Sequence, residues 1–171
     1  MFNKILAAVD MSETGQRVFD EALDLAKANG ASLMLVHVLS PDEEGHPDIE
    51  NLYRHYYSES ENVSSEHYRE LWEQFSQKGL ECLRSYSETA IAAGVHTEYK
   101  QVFGSPGKTI CKTARTWNVD LIVIGRRGLS GLSEPVMGSV SNYVIHHAHC
   151  SVLTVQFQVK AVIEPMPIAT A

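Results

Sequence analysis

The order of apolar and polar residues alternates between a strand period and a helix period. Segments of strand type occupy residues 4–9, 32–38, 96–103, 121–124 and 151–155. Between them, apolar residues recur three and four positions apart, as on one face of a helix. Alternating periods of this kind are typical of β-α-β units and a parallel sheet. The pattern therefore predicts an α/β fold: an open, doubly wound, five-stranded parallel sheet with helices on both faces.

Four helices follow from the spacing and from capping residues. They are predicted from Ser12 to Asn29, from Ser64 or Ser65 to Gly94, after Gly104-Ser105-Pro106, and from Asn142 to Ala148. Ser12 is a plausible N-cap, and Gly30 is a typical C-terminal stop. The second helix carries an aromatic stripe, which we interpret as core packing.

Residues 39–63 interrupt this alternation. They combine prolines and a glycine with an acidic cluster that includes Glu43, and with three tyrosines. A connection this long is uncommon in a compact domain unless it is functional or mobile. Two interpretations stay open: a solvated excursion with one short helical turn, or a lid over a neighbouring site. The tail, residues 157–171, has no strong period, so we expect one domain over residues 1–156.

Composition limits the classes of function. With 171 residues, 44% of them hydrophobic, the chain can bury a core, and its net charge of −7 argues against binding to nucleic acid or to an anionic membrane. The opening MFNKILAAVD predicts a strand, since a signal peptide needs a longer apolar region. Three widely spaced cysteines do not predict a disulfide framework, so we expect a cytoplasmic protein.

The strongest candidate for a site is the stretch 121–141. In order it carries Gly125, Gly128, Gly131, Gly138 and Ser139-Val140-Ser141. Glycines let a backbone approach an anion closely, and the helix that follows adds partial positive charge at its start. The stretch therefore predicts a phosphate site, in which Arg126 and Arg127 either pair with phosphates or lie in solvent.

Asp10, at the tip of the first strand, is a possible companion of this site. Sheets of this type bind ligands where the strand order reverses. If the order reverses between the first and fourth strands, Asp10 faces the same crevice as Gly125. Asp10 is then open to two interpretations: a cap or turn residue, or a group that reaches ribose hydroxyls or a phosphate-bound metal. No nucleophile–base pair is recognisable, so the pattern favours binding a nucleotide over rapid turnover.

Three other motifs are set aside. No G-x-G-x-x-G follows the first strand, which argues against a dinucleotide site. Gly107-Lys108-Thr109 imitates the end of a P-loop, but Val102 stands where the first glycine is needed and Pro106 removes an N–H donor. We interpret that stretch as a proline-started helix. The run His146 to Cys150 lacks a second ligand pair for zinc, so we interpret it as structural.

The glycine spacing resembles that of a known family. Gly125-x-x-Gly128, nine residues and Gly138-Ser139 match the G-2x-G-9x-G-[S/T] signature of ATP-binding universal stress proteins. KILAAVDMSE, LVHVL, Gly104-Ser105-Pro106 and HAHCSVLTV are also similar to segments of that family. The resemblance covers nearly the whole chain and implies a three-layer, Rossmann-like sandwich of the adenine-nucleotide alpha-hydrolase type.

The resemblance also implies a site, a ligand and a partner. ATP, ADP or AMP would bind, with or without Mg²⁺, through the ten residues Asp10, Val38, Gly125, Arg126, Arg127, Gly128, Gly138, Ser139, Val140 and Ser141. Val38 would offer backbone groups to the adenine, and Asp10 would stand near the ribose or the metal-phosphate end. Members of the family commonly form homodimers through the last strand, here Val152, Leu153, Thr154 and Val155.

The function implied is a nucleotide-responsive stress regulator that acts through an unidentified protein partner. Two alternatives stay open from the residues. One is slow ATP hydrolysis or self-phosphorylation on a loop serine such as Ser130 or Ser133. The other is an interaction protein that binds no nucleotide, in which the glycine loop is only a turn.

Overall fold

The computed structural model describes residues 1–41, 43, 45–47, 63–126 and 138–156, without the side chains of residues 63–65. The elements in chain order are β1 (Lys4–Ala8), α1 (Glu13–Asn29), β2 (Ser32–Leu39), α2 (Val63–Ala92), β3 (Thr97–Phe103), α3 (Pro106–Trp117), β4 (Leu121–Arg126), α4 (Ser139–His147) and β5 (Ser151–Gln156). This alternation of strands and helices confirms the predicted α/β class. Arg127, Gly128, most of the excursion and the tail lie outside the described residues.

In the described part of the chain, the sheet has five parallel strands in the order β3-β2-β1-β4-β5. The chain builds outward from β1 to β3 on one side, then returns to the centre with β4 and continues to β5. The strand order therefore reverses between β1 and β4, which is the condition under which Asp10 and Gly125 face the same crevice. Ala8 pairs with Ile124, so the carboxyl ends of these two strands lie side by side.

Side chains of the central strands alternate between two apolar clusters. Ile5 and Ala7 of β1 pack with α1 and α2, whereas Leu6 packs with α3 and α4 on the other face. In the first cluster the rings of Phe19 and Tyr86 stack with centroids 4.4 Å apart. Burying a side chain such as Phe19 contributes about 1.5–3 kcal/mol. The helices thus cover both faces of the sheet, which gives the expected three-layer sandwich.

The ends of α1 follow the predicted caps. The Ser12 hydroxyl accepts a hydrogen bond from the Gly15 N–H (3.2 Å), which satisfies one of the free donors of the first turn. Gly30 follows the helix with φ 65°, a left-handed conformation that glycine adopts at little steric cost.

Two predicted boundaries near the glycine stretch were wrong. β4 continues through Gly125 and Arg126, because β5 runs alongside and pairs Val155 and Gln156 with them. Pairing with a neighbour therefore outweighs the weak strand preference of glycine. The fourth helix begins at Ser139 instead of Asn142, so Ser139-Val140-Ser141 forms its first turn.

None of the helices in these described ranges is both long enough and apolar enough to span a membrane.

Candidate functional site

A cavity of about 390 Å³ opens at the carboxyl ends of β1, β2 and β4. Its volume lies within the range of small-molecule sites. The walls combine strand ends with the first turns of three helices. The described residues in these walls are Ala8, Val9, Asp10, Thr14, Gly15, Val18, Val36, His37, Val38, Ser40, Glu43, Pro106, Ile110, Ile124, Gly125, Gly138, Ser139, Val140 and Ser141. Seven of the ten predicted site residues therefore meet here: Asp10, Val38, Gly125, Gly138, Ser139, Val140 and Ser141.

Asp10 occupies the turn between β1 and α1. Its Oδ1 accepts hydrogen bonds from the Ser12 N–H (3.1 Å) and from the Ser12 hydroxyl. The same hydroxyl caps α1, so Asp10 and Ser12 hold the strand tip and the helix start together. The two interpretations of Asp10 are compatible, since the residue both shapes the turn and lines the cavity.

Val38 lies near the end of β2, where its neighbour β1 has already stopped. The Val9 N–H donates to the Val36 carbonyl at 2.9 Å, beyond the last register pair of these strands, Ala8 and Val36. Carbonyl groups alternate in direction along a strand, so the Val38 carbonyl points to the same edge of β2 as that of Val36. Val38 therefore presents backbone polar groups at the cavity end of the sheet.

Gly125 brings β4 close to α1. A Cβ placed on Gly125 would lie 2.5 Å from Thr14 Cγ2, which is too short for any ordinary contact. The predicted reason for glycine here was close approach to an anion. In the structure, the tight contact between the strand and the Thr14 side chain of α1 also favours glycine.

The first turn of α4 faces the cavity through Gly138, Ser139, Val140 and Ser141. Gly138 is the N-cap residue, and its carbonyl accepts from the Asn142 N–H (3.0 Å) and the Ser141 hydroxyl (3.0 Å). The first N–H groups of a helix have no intrahelical acceptor, and they carry the positive end of the helix dipole. This end of the cavity is therefore suited to an anion.

The structure does not bring Arg126 into this group. Arg126 is not one of the cavity-lining residues, and its Nη1 donates to Gln156 Oε1 on β5 (3.3 Å). Arg127 and Gly128 belong to the undescribed stretch. In the described part of the chain the cavity wall contains no lysine or arginine, and its acidic members are Asp10 and Glu43. Among the described residues, backbone N–H groups and the helix terminus are therefore the groups suited to an anionic ligand.

Three buried polar residues of the cavity were not predicted. His37, Ser40 and Glu43 are all buried, and Glu43 Oε1 lies 2.7 Å from His37 Nε2. In the sequence, Glu43 appears only as a member of an acidic cluster in an irregular stretch. The signal that could have identified these residues is their position directly at or after the end of β2, at the ligand-binding edge of the sheet.

Two of the motifs that were set aside, at Gly107-Lys108-Thr109 and His146 to Cys150, have structural roles. Pro106 starts α3, as predicted, and Gly107 packs so tightly that an added Cβ would lie 2.7 Å from the Tyr143 ring. His147 stacks on the same ring with centroids 3.9 Å apart, and its Nδ1 lies 2.8 Å from the Tyr143 carbonyl oxygen. Among the described residues no group of three potential ligands is arranged to hold a metal ion.

Comparison with known sequences gives one consistent result. The model of the "Universal stress protein family" matches residues 1–156. Universal stress protein Sll1388 of Synechocystis is 37% identical over 155 residues, which cover 91% of this chain and 98% of that protein. Universal stress protein YxiE of Bacillus subtilis is 35% identical over 156 residues, which cover 91% of this chain and all of that protein.

Solved structures agree in fold. Universal stress protein UspA from Lactobacillus plantarum matches with a TM-score of 0.67 and 24% identity over 90% of this chain and 97% of its own. A universal stress protein in complex with cAMP has a TM-score of 0.58, 23% identity and coverages of 91% and 97%. The Archaeoglobus fulgidus protein in complex with dAMP has a TM-score of 0.57, 20% identity and coverages of 90% and 97%. From its sequence matches, the chain belongs to the universal stress protein family.

Proposed function

We propose that the chain binds an adenine nucleotide in the cavity at the switch point of its sheet and acts as a nucleotide-responsive regulator. One observation carries the proposal. The N-terminus of α4 and the carboxyl ends of β1, β2 and β4 line the same cavity. Such an arrangement offers N–H donors and a positive dipole end to phosphates, opposite a wall that can take a base.

The distribution of polarity along the cavity supports one orientation of the nucleotide. In the sheet, β2 and β4 are separated by β1, which at about 4.8 Å per strand corresponds to roughly 10 Å. Phosphates would lie at the β4 end, against the first turn of α4. The base would lie at the β2 end, and the ribose between them near Asp10.

Six of the predicted residues then have an assigned task. The Val38 backbone would bind the edge of the adenine, and Gly125 would let the ribose and phosphates approach β4. The N–H groups of Gly138, Ser139 and Val140 would hold phosphate oxygens. A Mg²⁺ ion brought by the phosphates would find Asp10 as the neighbouring carboxylate.

The structural relatives give independent support. One is a universal stress protein in complex with cAMP, and another is an A. fulgidus protein in complex with dAMP. Both ligands contain adenine and one phosphate. We therefore include AMP and cAMP with ATP and ADP among the ligands to be compared.

Calorimetry with these four nucleotides would test the proposal, using variants of Ser139. This exposed residue is the first of α4, where the first turn carries no acidic side chain. Ser139→Asp should stabilise the helix start but repel phosphates, and we expect at least about tenfold weaker ATP binding. Ser139→Asn has nearly the same shape without the charge and should bind ATP like the wild type.

Two results would contradict the assignment. Wild-type protein that binds none of the four nucleotides would refute the function itself. Equal ATP affinity in the wild type, Ser139→Asp and Ser139→Asn would show that phosphates do not lie at α4.

We further propose that the protein works as a cytoplasmic homodimer. β5 is an edge strand of the described sheet, and it exposes Leu153. An apolar strand at an edge is stabilised by pairing with a partner. The three cysteines are free thiols, which fits a reducing compartment.

A further inference from the structure

Glu43 is a buried carboxylate that lines the cavity with one of its oxygens unsatisfied. It is 7% exposed, and it lies just beyond the end of β2. Oε1 pairs with His37 Nε2 at 2.7 Å. Oε2 has no hydrogen-bond partner among the described residues. A buried polar atom without a partner costs free energy, and a charged one costs more, so such an atom calls for a donor.

The orientation of Glu43 depends on hydrogen bonds that Gln101 and Ser76 make on the opposite side of the His37 ring. The amide of Gln101 is fixed by Ser76. The Ser76 hydroxyl donates to Gln101 Oε1 (3.0 Å), and the Ser76 carbonyl accepts from Gln101 Nε2 (3.0 Å). Gln101 Nε2 also lies 3.0 Å from His37 Nδ1. Because the amide nitrogen is a donor, Nδ1 must accept.

This pattern determines the tautomer of His37 and the role of Glu43. With Nδ1 as an acceptor, the ring proton is on Nε2, which donates to Glu43 Oε1. The imidazole is 2% exposed and has no room to turn, since even a Cβ on Gly79 would lie 2.5 Å from Nδ1. Glu43 is therefore held with Oε1 occupied and Oε2 without a partner among the described residues, in a residue that lines the cavity.

The position of Glu43 Oε2 determines which part of the ligand can reach it. Glu43 lies at the β2 end, opposite the helix terminus proposed for the phosphates. A carboxylate would repel phosphates, whereas an amino group on the base would supply the missing donor. The amino group of adenine has two N–H bonds, so it can serve Val38 and Glu43 together.

We propose that Glu43 is a specificity-determining residue, whose Oε2 accepts a hydrogen bond from the exocyclic amino group of an adenine base. The inference rests on the proposed nucleotide site and adds the contact by which the site recognises the base of its nucleotide. A hydrogen bond to a charged group of this kind is worth about 10- to 100-fold in affinity.

The first test needs no variant. Calorimetry on the wild type would compare ATP with purine riboside triphosphate, which differs from ATP only in lacking the 6-amino group. We expect binding of the analogue to be about 10- to 100-fold weaker. Equal affinities would overturn the inference, whereas the nucleotide site itself would stand. Absence of binding by either compound would instead refute the proposed function.

Glu43→Gln provides a sharper second test. The Nε2–H of His37 requires an acceptor, so the new amide should turn its oxygen to His37 and its NH₂ group to the cavity. The group at the position of Glu43 Oε2 then changes from a hydrogen-bond acceptor to a donor. We expect the variant to lose affinity for ATP and to gain affinity for ITP, which carries an acceptor oxygen at position 6.

ATP and purine riboside triphosphate, each measured with the wild type and with Glu43→Gln, form a thermodynamic cycle that locates the contact. If Glu43→Gln weakens ATP and purine riboside triphosphate by the same factor, the amino group is not the partner of Glu43, and the inference fails. Including 2′-deoxy-ATP separates a ribose contact. If the effect of Glu43→Gln vanishes with this ligand but persists with purine riboside triphosphate, Glu43 binds the ribose and the inference is wrong.

Discussion

The backbones of Asp10 and Gly15 approach so closely that a Cβ on Gly15 would lie 2.0 Å from the Asp10 carbonyl oxygen. The obstacle is backbone, which cannot move aside without shifting the strand tip or the helix start. We expect Gly15→Ala to destabilise the protein by about 1–3 kcal/mol, as overpacking does in tightly packed cores. Urea denaturation followed by circular dichroism would measure this.

Intrinsic helix propensity predicts the opposite result, since alanine in a helix is favoured over glycine by about 1 kcal/mol. A more stable Gly15→Ala protein would therefore show that the turn adapts freely. Gln16→Ala, at the neighbouring exposed position of α1, is a suitable control and should change stability by less than about 0.5 kcal/mol.

The contact between Gly125 and Thr14 predicts that a substitution at Thr14 restores the stability lost by a substitution at Gly125. Gly125→Ala should destabilise the protein by about 1–3 kcal/mol, because the new methyl group meets Thr14 Cγ2 at 2.5 Å. Thr14→Ser deletes only that Cγ2 atom and leaves the hydroxyl. The next atoms, Val18 Cγ2 at 3.4 Å and Thr14 Cβ at 3.7 Å, are far enough away.

We therefore expect the double variant Thr14→Ser/Gly125→Ala to regain most of the stability lost by the single variant. Thr14→Ser alone provides the matched reference for the cycle. A double variant as unstable as Gly125→Ala alone would mean that α1 is not the obstacle. Binding of ATP to the rescued protein would further show that glycine is required there by packing more than by the phosphates.

The parts of the site that could be predicted from the sequence are those fixed by local periodicity. Strand and helix periods predicted the order of the elements along the chain, whereas the position of the reversal in the sheet entered only as a condition. Asp10 and Gly125 each stand at a strand end, so they meet once the topology is known. Ser12 was recognisable as a cap because the capping bond spans only three residues.

Glu43 could not be predicted in the same way. Locally it lies among prolines, a glycine and other acids, a composition that indicates solvent exposure. Its burial depends on His37, which is held by Gln101 across 64 positions of the chain. The direction of Arg126 likewise depends on Gln156 of β5. Contacts of this range have no signature in the spacing of residues.

Asp120 should contribute a pH-dependent part of the stability. Its Oδ2 accepts from the backbone N–H groups of Asn3 (2.7 Å) and Lys4 (2.9 Å), and these bonds hold the pKa of the carboxyl below its usual range. A carboxyl group with a lowered pKa stabilises the fold fully above its unfolded-state pKa, and the contribution is lost as the pH falls through the folded-state value.

We expect the stability difference between the wild type and Asp120→Asn to be constant above about pH 5 and to shrink as the pH falls below about 4. Solvent screens this partly exposed carboxylate, so the difference should not exceed about 1 kcal/mol. Urea denaturation of both proteins from pH 2.5 to 7 would measure it. A difference that is the same at every pH would rule out this role of the two N–H bonds.

The three thiols should react slowly in the folded protein. Burial raises the pKa of Cys82, Cys111 and Cys150, and the thiolate is the reactive form. Iodoacetamide at pH 8 should therefore alkylate the native protein well below the rate of the urea-unfolded chain, as mass spectrometry would show. Equal rates in the two states would contradict the burial of these thiols.

The two edges of the sheet allow a matched test of the proposed homodimer. Leu153 on β5 is 37% exposed, and Tyr99 on the opposite edge strand, β3, is 43% exposed. Either position can take lysine without crowding the core. At a dimer interface, however, the buried charge would have no partner and would cost several kcal/mol.

We therefore expect Leu153→Lys to shift the protein to monomers in sedimentation velocity, whereas Tyr99→Lys remains dimeric at the same concentrations. The reverse outcome would move the interface to β3, and a wild type that is monomeric at every concentration would refute the dimer. Because the α4 terminus and β5 follow one another along the chain, the same experiment with and without ATP would reveal whether ligand binding and pairing are coupled. A dimer stabilised by ATP must, by linkage, bind ATP more tightly than the Leu153→Lys monomer does.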